Sequence, residues 1–373
     1  MRLAIISDSH TKSNIEFILE YLRKKQFELK IDIIIINGDV LGENEIREGY
    51  GYSFSKSLFQ ASLDRNSMLT ELFPDFDSLA KLKDGFSQGI KDDAALAQTI
   101  KEYVSHRYDY LFKLLLSFSE ITDTYFNIGT YESPLHYNVL KELAFLLDIP
   151  EPYIRSLALL SNYRETFQEF QTKFKDPRIK KLRYLAGSTI MPGETLIGGI
   201  PGFNHSSGPM DSMSEFQEKM ASDFMGTVTR QLSYVNRLIL VNQTQGKLRK
   251  DPFSFRPASQ SVREFMEKCK QKLRQKVFVQ SYHHFMTTHF YEAAGFHFML
   301  SNSAVNNCLF NMLDIGNRLV CYDVDPKLDI VRQLKTYNYN IADIKSPQER
   351  LALNYENPDE VIKQRNLSGC YYM

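Results

Sequence analysis

The sequence predicts an α/β protein. The chain opens as strand, helix, strand, and its centre carries long helical patterns. From residue 181 it returns to short apolar runs separated by Gly and Pro. Residues 3–7 are a short apolar run suited to a buried parallel strand. Over 13–25, Ile15, Ile18, Leu19 and Leu22 recur at helical spacing, and 31–37 is a second, β-branched run. Together they make a βαβ unit. Ligands of such a unit bind beyond the carboxyl ends of its strands, and Asp8 and Asp39 fall just past those ends.

The elements that follow are read in order. Residues 47–53 look like a loop. The clearest helix spans 92–118, where Leu96, Ile100, Tyr103, Tyr110, Leu111 and Leu114 recur near helical period and read as core. A strand is expected over 121–127, and helices over 135–175 interrupted by Pro150 and Pro152. Strands are predicted over 182–186, 194–200, 237–242, 276–280, 296–300, 308–315 and 318–323. Helices are expected over 211–225 and 261–274, and Gly316-Asn317 reads as a hairpin turn. The last forty residues are polar and look peripheral.

Composition narrows the function classes. At 373 residues, with 43% hydrophobic and 24% charged, the chain can bury a core without disulfides or metal, and extended disorder is excluded. Lys plus Arg and Asp plus Glu are both 45, so net charge gives no indication of nucleic acid as a partner. None of the four cysteines forms a C-x-x-C pair, which reads as reduced thiols in a cytoplasmic setting. The N-terminal apolar stretch is too short for a signal peptide, and no apolar run is long enough to span a membrane.

The residues that carry chemistry are Asp8-Ser9-His10 after the first strand and Gly38-Asp39-Val40-Leu41-Gly42 after the second. An Asp and a His two apart on a turn can face one metal, and an Asp from the neighbouring strand end can complete the cluster. If that carboxylate bridges, it holds a second ion about 3.5–4 Å away. The glycines around Asp39 allow a tight turn and close backbone approach.

This pattern resembles the calcineurin-like metallophosphoesterases, in which D-x-H and G-D-x-x-G are followed by G-N-H-[DE], a His after a strand, and G-H-x-H. The resemblance implies two facing mixed β-sheets flanked by helices, a four-layer sandwich. It also implies a centre of one or two divalent ions (Mn, Fe, Zn or Mg) at the strand ends. The third motif corresponds to Gly129-Thr130-Tyr131-Glu132. Thr130 then takes the metal-binding Asn position, where it is assigned to the substrate, and Tyr131 the position of the His that assists the leaving group. Tyrosine, with a reference pKa of about 10, donates a hydrogen bond but suits proton transfer near neutrality less well. The fourth motif corresponds to His283, with His284 as the alternative, after the strand over 276–280. The fifth corresponds to Gly295-Phe296-His297-Phe298. Both of its ligand positions are Phe, so His297 is re-aimed, or His205 or His289 substitutes, or ligands are lost. His205, in a Gly/Ser-rich loop, is also a candidate phosphate contact.

The implied function is hydrolysis of a phosphomonoester or phosphodiester, with metal ligands Asp8, His10, Asp39, His283 and His297. The alternative is an impaired or inactive member of the same fold that acts as a protein-interaction module. One domain is expected over 1–335, interrupted by helical insertions at 45–119 and 135–180 that form a cap or receive a partner protein. A polar tail follows over 336–373.

Overall fold

The computed structural model describes residues 1–9, 12–40, 93–129, 132, 150, 163–200, 211–243, 260–269, 273, 275–281, 288–293, 295–301, 304 and 308–338. The first sheet contains β1 (Arg2–Ile6), β2 (Ile33–Asn37), β3 (Asp123–Asn127), β4 (Leu182–Tyr184), β11 (Phe310–Ile315), β12 (Arg318–Asp325) and β13 (Ile330–Asn338), in the order β13-β12-β11-β1-β2-β3-β4. The second contains β5 (Thr189–Ile190), β6 (Thr195–Ile200), β7 (Arg237–Gln243), β8 (Gln275–Ser281), β9 (His289–Ala293) and β10 (Phe296–Ser301), in the order β5-β6-β7-β8-β10-β9. The first sheet is parallel from β1 to β4 and antiparallel from β1 to β13, and the second is parallel at its centre and antiparallel at both edges, so both are mixed.

Helices cross over between the parallel strands: α1 (Lys12–Leu29) joins β1 to β2, α2 (Asp93–Ser119) lies between β2 and β3, and α3 (Tyr163–Lys173) between β3 and β4. In the second sheet α4 (Asp211–Gln231) lies between β6 and β7, and α5 (Gln260–Lys268) between β7 and β8. Helix α2 therefore belongs to the regular crossover layer, although it falls in a stretch expected as an insertion. Its Tyr108, Leu111 and Leu115 are buried with Phe126 and Phe170, and Tyr108 stacks on Phe170 at 4.6 Å. Helix α1 stops where Lys30 turns left-handed at φ 52° and donates its N–H to the Gln26 carbonyl.

Side-chain alternation along the strands explains the layers. On β1 and β2, Ala4, Ile6, Ile34 and Ile36 face the helices, while Leu3, Ile5, Ile33 and Ile35 face the other sheet. On β7 and β8, Leu238, Leu240 and Phe278 face α4 and α5, and Ile239, Val241, Val277 and Val279 meet the first sheet. The molecule is thus layered helix, sheet, sheet, helix, as the motif resemblance implies. Three strands lie outside the sequence reading, the first being the two-residue β5, which pairs antiparallel with β6. Strand β9 pairs antiparallel with β10. Strand β13 carries the first sheet through Asn338. Among the described residues, no helix is long and apolar enough to cross a membrane.

Candidate metal centre

The inter-sheet faces are apolar until the C-terminal ends of the parallel strands, where they turn polar. Continuing the period-two pattern by one step past Ile5, Ile35, Tyr125, Val241, Val279 and Met299 gives Ser7, Asn37, Asn127, Gln243, Ser281 and Ser301, all buried. Asn127 Nδ2 donates to Asn37 Oδ1 at 2.8 Å. Asn37 Nδ2 donates to Ser281 Oγ at 2.7 Å and to the Asn242 carbonyl at 3.0 Å. Ser281 and Ser301 share a hydroxyl bond at 2.6 Å, and Ser301 approaches Ser7 at 3.3 Å. This chain of bonds crosses from one sheet to the other and fixes their relative register at one end of the sandwich.

Asp8 and Asp39 stand at that end. They are 0% and 1% exposed, and both occupy the left-handed backbone region, at φ 52° and 53°. That conformation costs a side-chain-bearing residue about 1–3 kcal/mol, least for Asp and Asn, and persists only where surroundings enforce it. The enforcing contacts are visible. The Asp8 N–H donates to the Gly38 carbonyl at 3.1 Å, tying the first loop to the second. Gly38, at φ 73°, lies against Gly129. A Cβ on Gly38 would overlap Gly129 N and Cα, and one on Gly129 would fall 2.5 Å from Asp39 Oδ1 and 2.8 Å from Glu132 Oε2.

Glu132 clamps the two loops together. Its carboxylate accepts the N–H groups of Asp39 at 2.9 Å, Val40 at 2.7 Å and Gly129 at 2.8 Å, and the residue is 2% exposed. Tyr108 of α2 donates its hydroxyl to the Glu132 carbonyl at 2.7 Å, which anchors the clamp to the helical layer. Glu132 is thus the positioning group of the third motif.

The residue that joins the two carboxylates is Gln243, buried at the end of β7. Its Nε2 donates to Asp8 Oδ1 at 3.1 Å and to Asp39 Oδ2. Two aspartates of the first sheet and one carboxamide of the second therefore aim at a common point. Sequence reasoning missed Gln243 because it sought ionisable ligands at strand ends. The available signal was a polar residue continuing the inward phase of Ile239 and Val241.

His297 is not brought to this pair. It is the second residue of β10, opposite Val277 and four residues before Ser301, so it sits about 13 Å down the strand from the polar end at 3.3 Å per residue. Its Nδ1 lies 3.0 Å from Glu292 Oε1, and its ring packs on Tyr337 at 4.1 Å. Burial lowers its pKa, with Lys335 and Lys276 adding to the effect and Glu292 opposing it. Phe296 and Phe298 point the other way, into the core beneath α4 and α5, and Gly295 is an exposed turn residue ahead of β10. The direction and register of β10 thus set His297 apart from the strand ends that carry Asp8 and Asp39. The side chains of His10, Thr130, Tyr131, His205, His283 and His284 lie outside the described residues, as does that of His289. Among the described residues, no three His, Cys, Asp or Glu side chains gather closely enough to hold an ion.

No protein-family model matches the chain, and no curated protein sequence matches it. Solved structures of similar shape exist at low identity. GAP50, the anchor in the inner membrane complex of Plasmodium, is 11% identical with a TM-score of 0.41 over 96% of this chain and 95% of its own. A putative 5'-nucleotidase from Staphylococcus aureus is 10% identical with a TM-score of 0.38, and the match spans 97% of this chain and 58% of that one. Purple acid phosphatase PPD1 from yellow lupin (Lupinus luteus) is 12% identical with a TM-score of 0.44, over 92% and 54%.

Proposed function

We propose that the protein is a metal-dependent phosphoesterase whose centre is built on Asp8 and Asp39. The observation that carries this reading is the convergence of two buried, left-handed aspartates from neighbouring strand ends on one point. They belong to the two motifs in the chain that resemble the calcineurin-like metallophosphoesterases. The residues fit divalent ions. Two carboxylates supply hard oxygen donors for such an ion. His10, two residues past Asp8, and His283, two past Ser281, follow from the same strand ends. When bound, such ions lower the pKa of water and neutralise phosphoryl oxygens.

The chain's own contribution is placement. Glu132 fixes the Asp39 backbone through the N–H of Asp39 itself and of its neighbour Val40, so the carboxylate direction is set before any substrate arrives. The polar layer from Asn127 to Ser7 holds the two sheets in register beneath it. Tyr131, adjacent to Glu132 in the chain, donates a hydrogen bond to the leaving oxygen, and Thr130 and His205 contact the phosphoryl group. The setting we propose is a reducing, cytoplasmic one, in keeping with four cysteines that include no C-x-x-C pair.

A second reading has its own observation. The Gln243 amide already bonds both carboxylates, an arrangement that also suits a structural joint between sheets in an inactive, partner-binding member of the fold. Hydrolysis of p-nitrophenyl phosphate and bis(p-nitrophenyl) phosphate with added Mn²⁺ separates the two. The enzyme reading expects turnover in the full chain and a loss of at least 100-fold in Asp39→Asn, with the far-UV circular dichroism spectrum preserved. Equal rates in both proteins would remove Asp39 from the chemistry, and absence of turnover in wild type would favour the second reading.

A further inference from the structure

We propose that Gln243 is a metal ligand of this centre, supplying its carboxamide oxygen beside the carboxylates of Asp8 and Asp39. The inference rests on the metal reading above and specifies the donor set. Gln243 is buried, comes from the opposite sheet, and places one amide corner within bonding reach of both aspartates. A carboxamide presents oxygen and nitrogen in nearly the same shape, and a half-turn about its last torsion exchanges them. With no cation, Nε2 must face the two carboxylates, because Oε1 there would add a third acceptor to two anions. With a cation at the convergence point, the requirement reverses and Oε1 faces inward. Gln243 is in position to add a third donor to the two described carboxylates.

Two carboxylates and a carboxamide give three oxygen donors, and with His10 and His283 beside them the mixed oxygen and nitrogen set suits Mn²⁺. Because Asp8 and Asp39 lie on the first sheet and Gln243 on the second, the ion also becomes a joint between the sheets. Binding then raises the thermal stability of the whole sandwich.

Isothermal titration calorimetry of the full chain with Mn²⁺, together with melting temperatures in EDTA and in Mn²⁺, tests this with Gln243→Leu and Gln243→Glu. Leucine keeps the volume but cannot ligate, so Mn²⁺ affinity is expected to fall at least 10-fold. Glutamate brings a third carboxylate, so this variant is expected to melt below wild type in EDTA. In Mn²⁺ it should recover to the wild-type value or above, with affinity retained or increased. If wild type binds Mn²⁺ and both variants bind it equally well, Gln243 is not a ligand, while the metal reading stands. If wild type binds no Mn²⁺, the metal reading fails and this inference with it. If Gln243→Leu does not fold, the Gln243→Glu pair of melting temperatures decides: no recovery in Mn²⁺ overturns the proposal.

Discussion

Replacing Glu132 by Gln tests the clamp that holds the site, because it keeps shape while removing charge and one acceptor. The carboxylate receives Asp39 and Gly129 N–H on Oε2 and Val40 N–H on Oε1. The amide carbonyl can keep the first two. Its NH₂ then faces the Val40 N–H, donor against donor, in a site that is 2% exposed. Losing a hydrogen bond to a charged group costs about 1.5–3 kcal/mol, and a stranded buried donor about 1–3 kcal/mol. The two remaining bonds weaken, since neutral acceptors give roughly half the strength of charged ones. Relief from burying a charge offsets part of this. A net loss of about 2–4 kcal/mol follows, a large share of the about 5–15 kcal/mol that holds a typical domain. The chain has no Trp, so urea unfolding at 25 °C is followed by circular dichroism at 222 nm. Glu132→Ala, which removes all three bonds, is expected to cost at least as much. A Glu132→Gln variant within about 0.5 kcal/mol of wild type would refute the clamp.

Two further outcomes follow from the same structure. Asn37→Leu breaks the polar layer at its centre, removing the bonds to Ser281 Oγ and the Asn242 carbonyl and the acceptor of Asn127 Nδ2. A loss of about 2–4 kcal/mol in urea unfolding is expected, and an unchanged midpoint would show that the layer contributes nothing. The folded His297 pKa lies below its ordinary 6.5, chiefly through burial. The unfolded chain therefore binds the proton first, and this residue's contribution to stability is lost as pH falls from about 6.5 toward the folded value. His297→Phe is expected to narrow the difference in urea midpoint between pH 7.5 and 5.5. An undiminished difference would show that His297 does not carry it.

The βαβ opening was legible because its strands are short continuous apolar runs and its helix keeps an apolar stripe, and both aspartates lie two residues past the strand ends. The rest of the site was not legible, for reasons of register. Gln243, Asn37, Asn127, Ser281 and Ser301 carry no charge and belong to no compact motif. They become a set only when each strand's inward phase is known. His297 attracted attention as the one His in Gly295-Phe296-His297-Phe298, yet its place is decided by the parallel pairing of β10 with β8, which sets it opposite Val277. Strand β13 was hidden because it lies at a sheet edge, where exposed Arg332, Gln333 and Lys335 dilute the apolar alternation. Helix α2 was recognised as a helix but assigned to an insertion, since its role as a crossover depends on β2 and β3 being neighbours.

The central claim is that Asp8 and Asp39 hold a divalent ion, and the most direct measurement is anomalous diffraction from crystals grown with Mn²⁺, recorded on both sides of the manganese absorption edge. The account expects an anomalous peak between the carboxylates of Asp8 and Asp39, against the Gln243 side chain, absent from crystals of Asp39→Asn. Crystals holding Mn²⁺ elsewhere, with no peak between those two carboxylates, would contradict it.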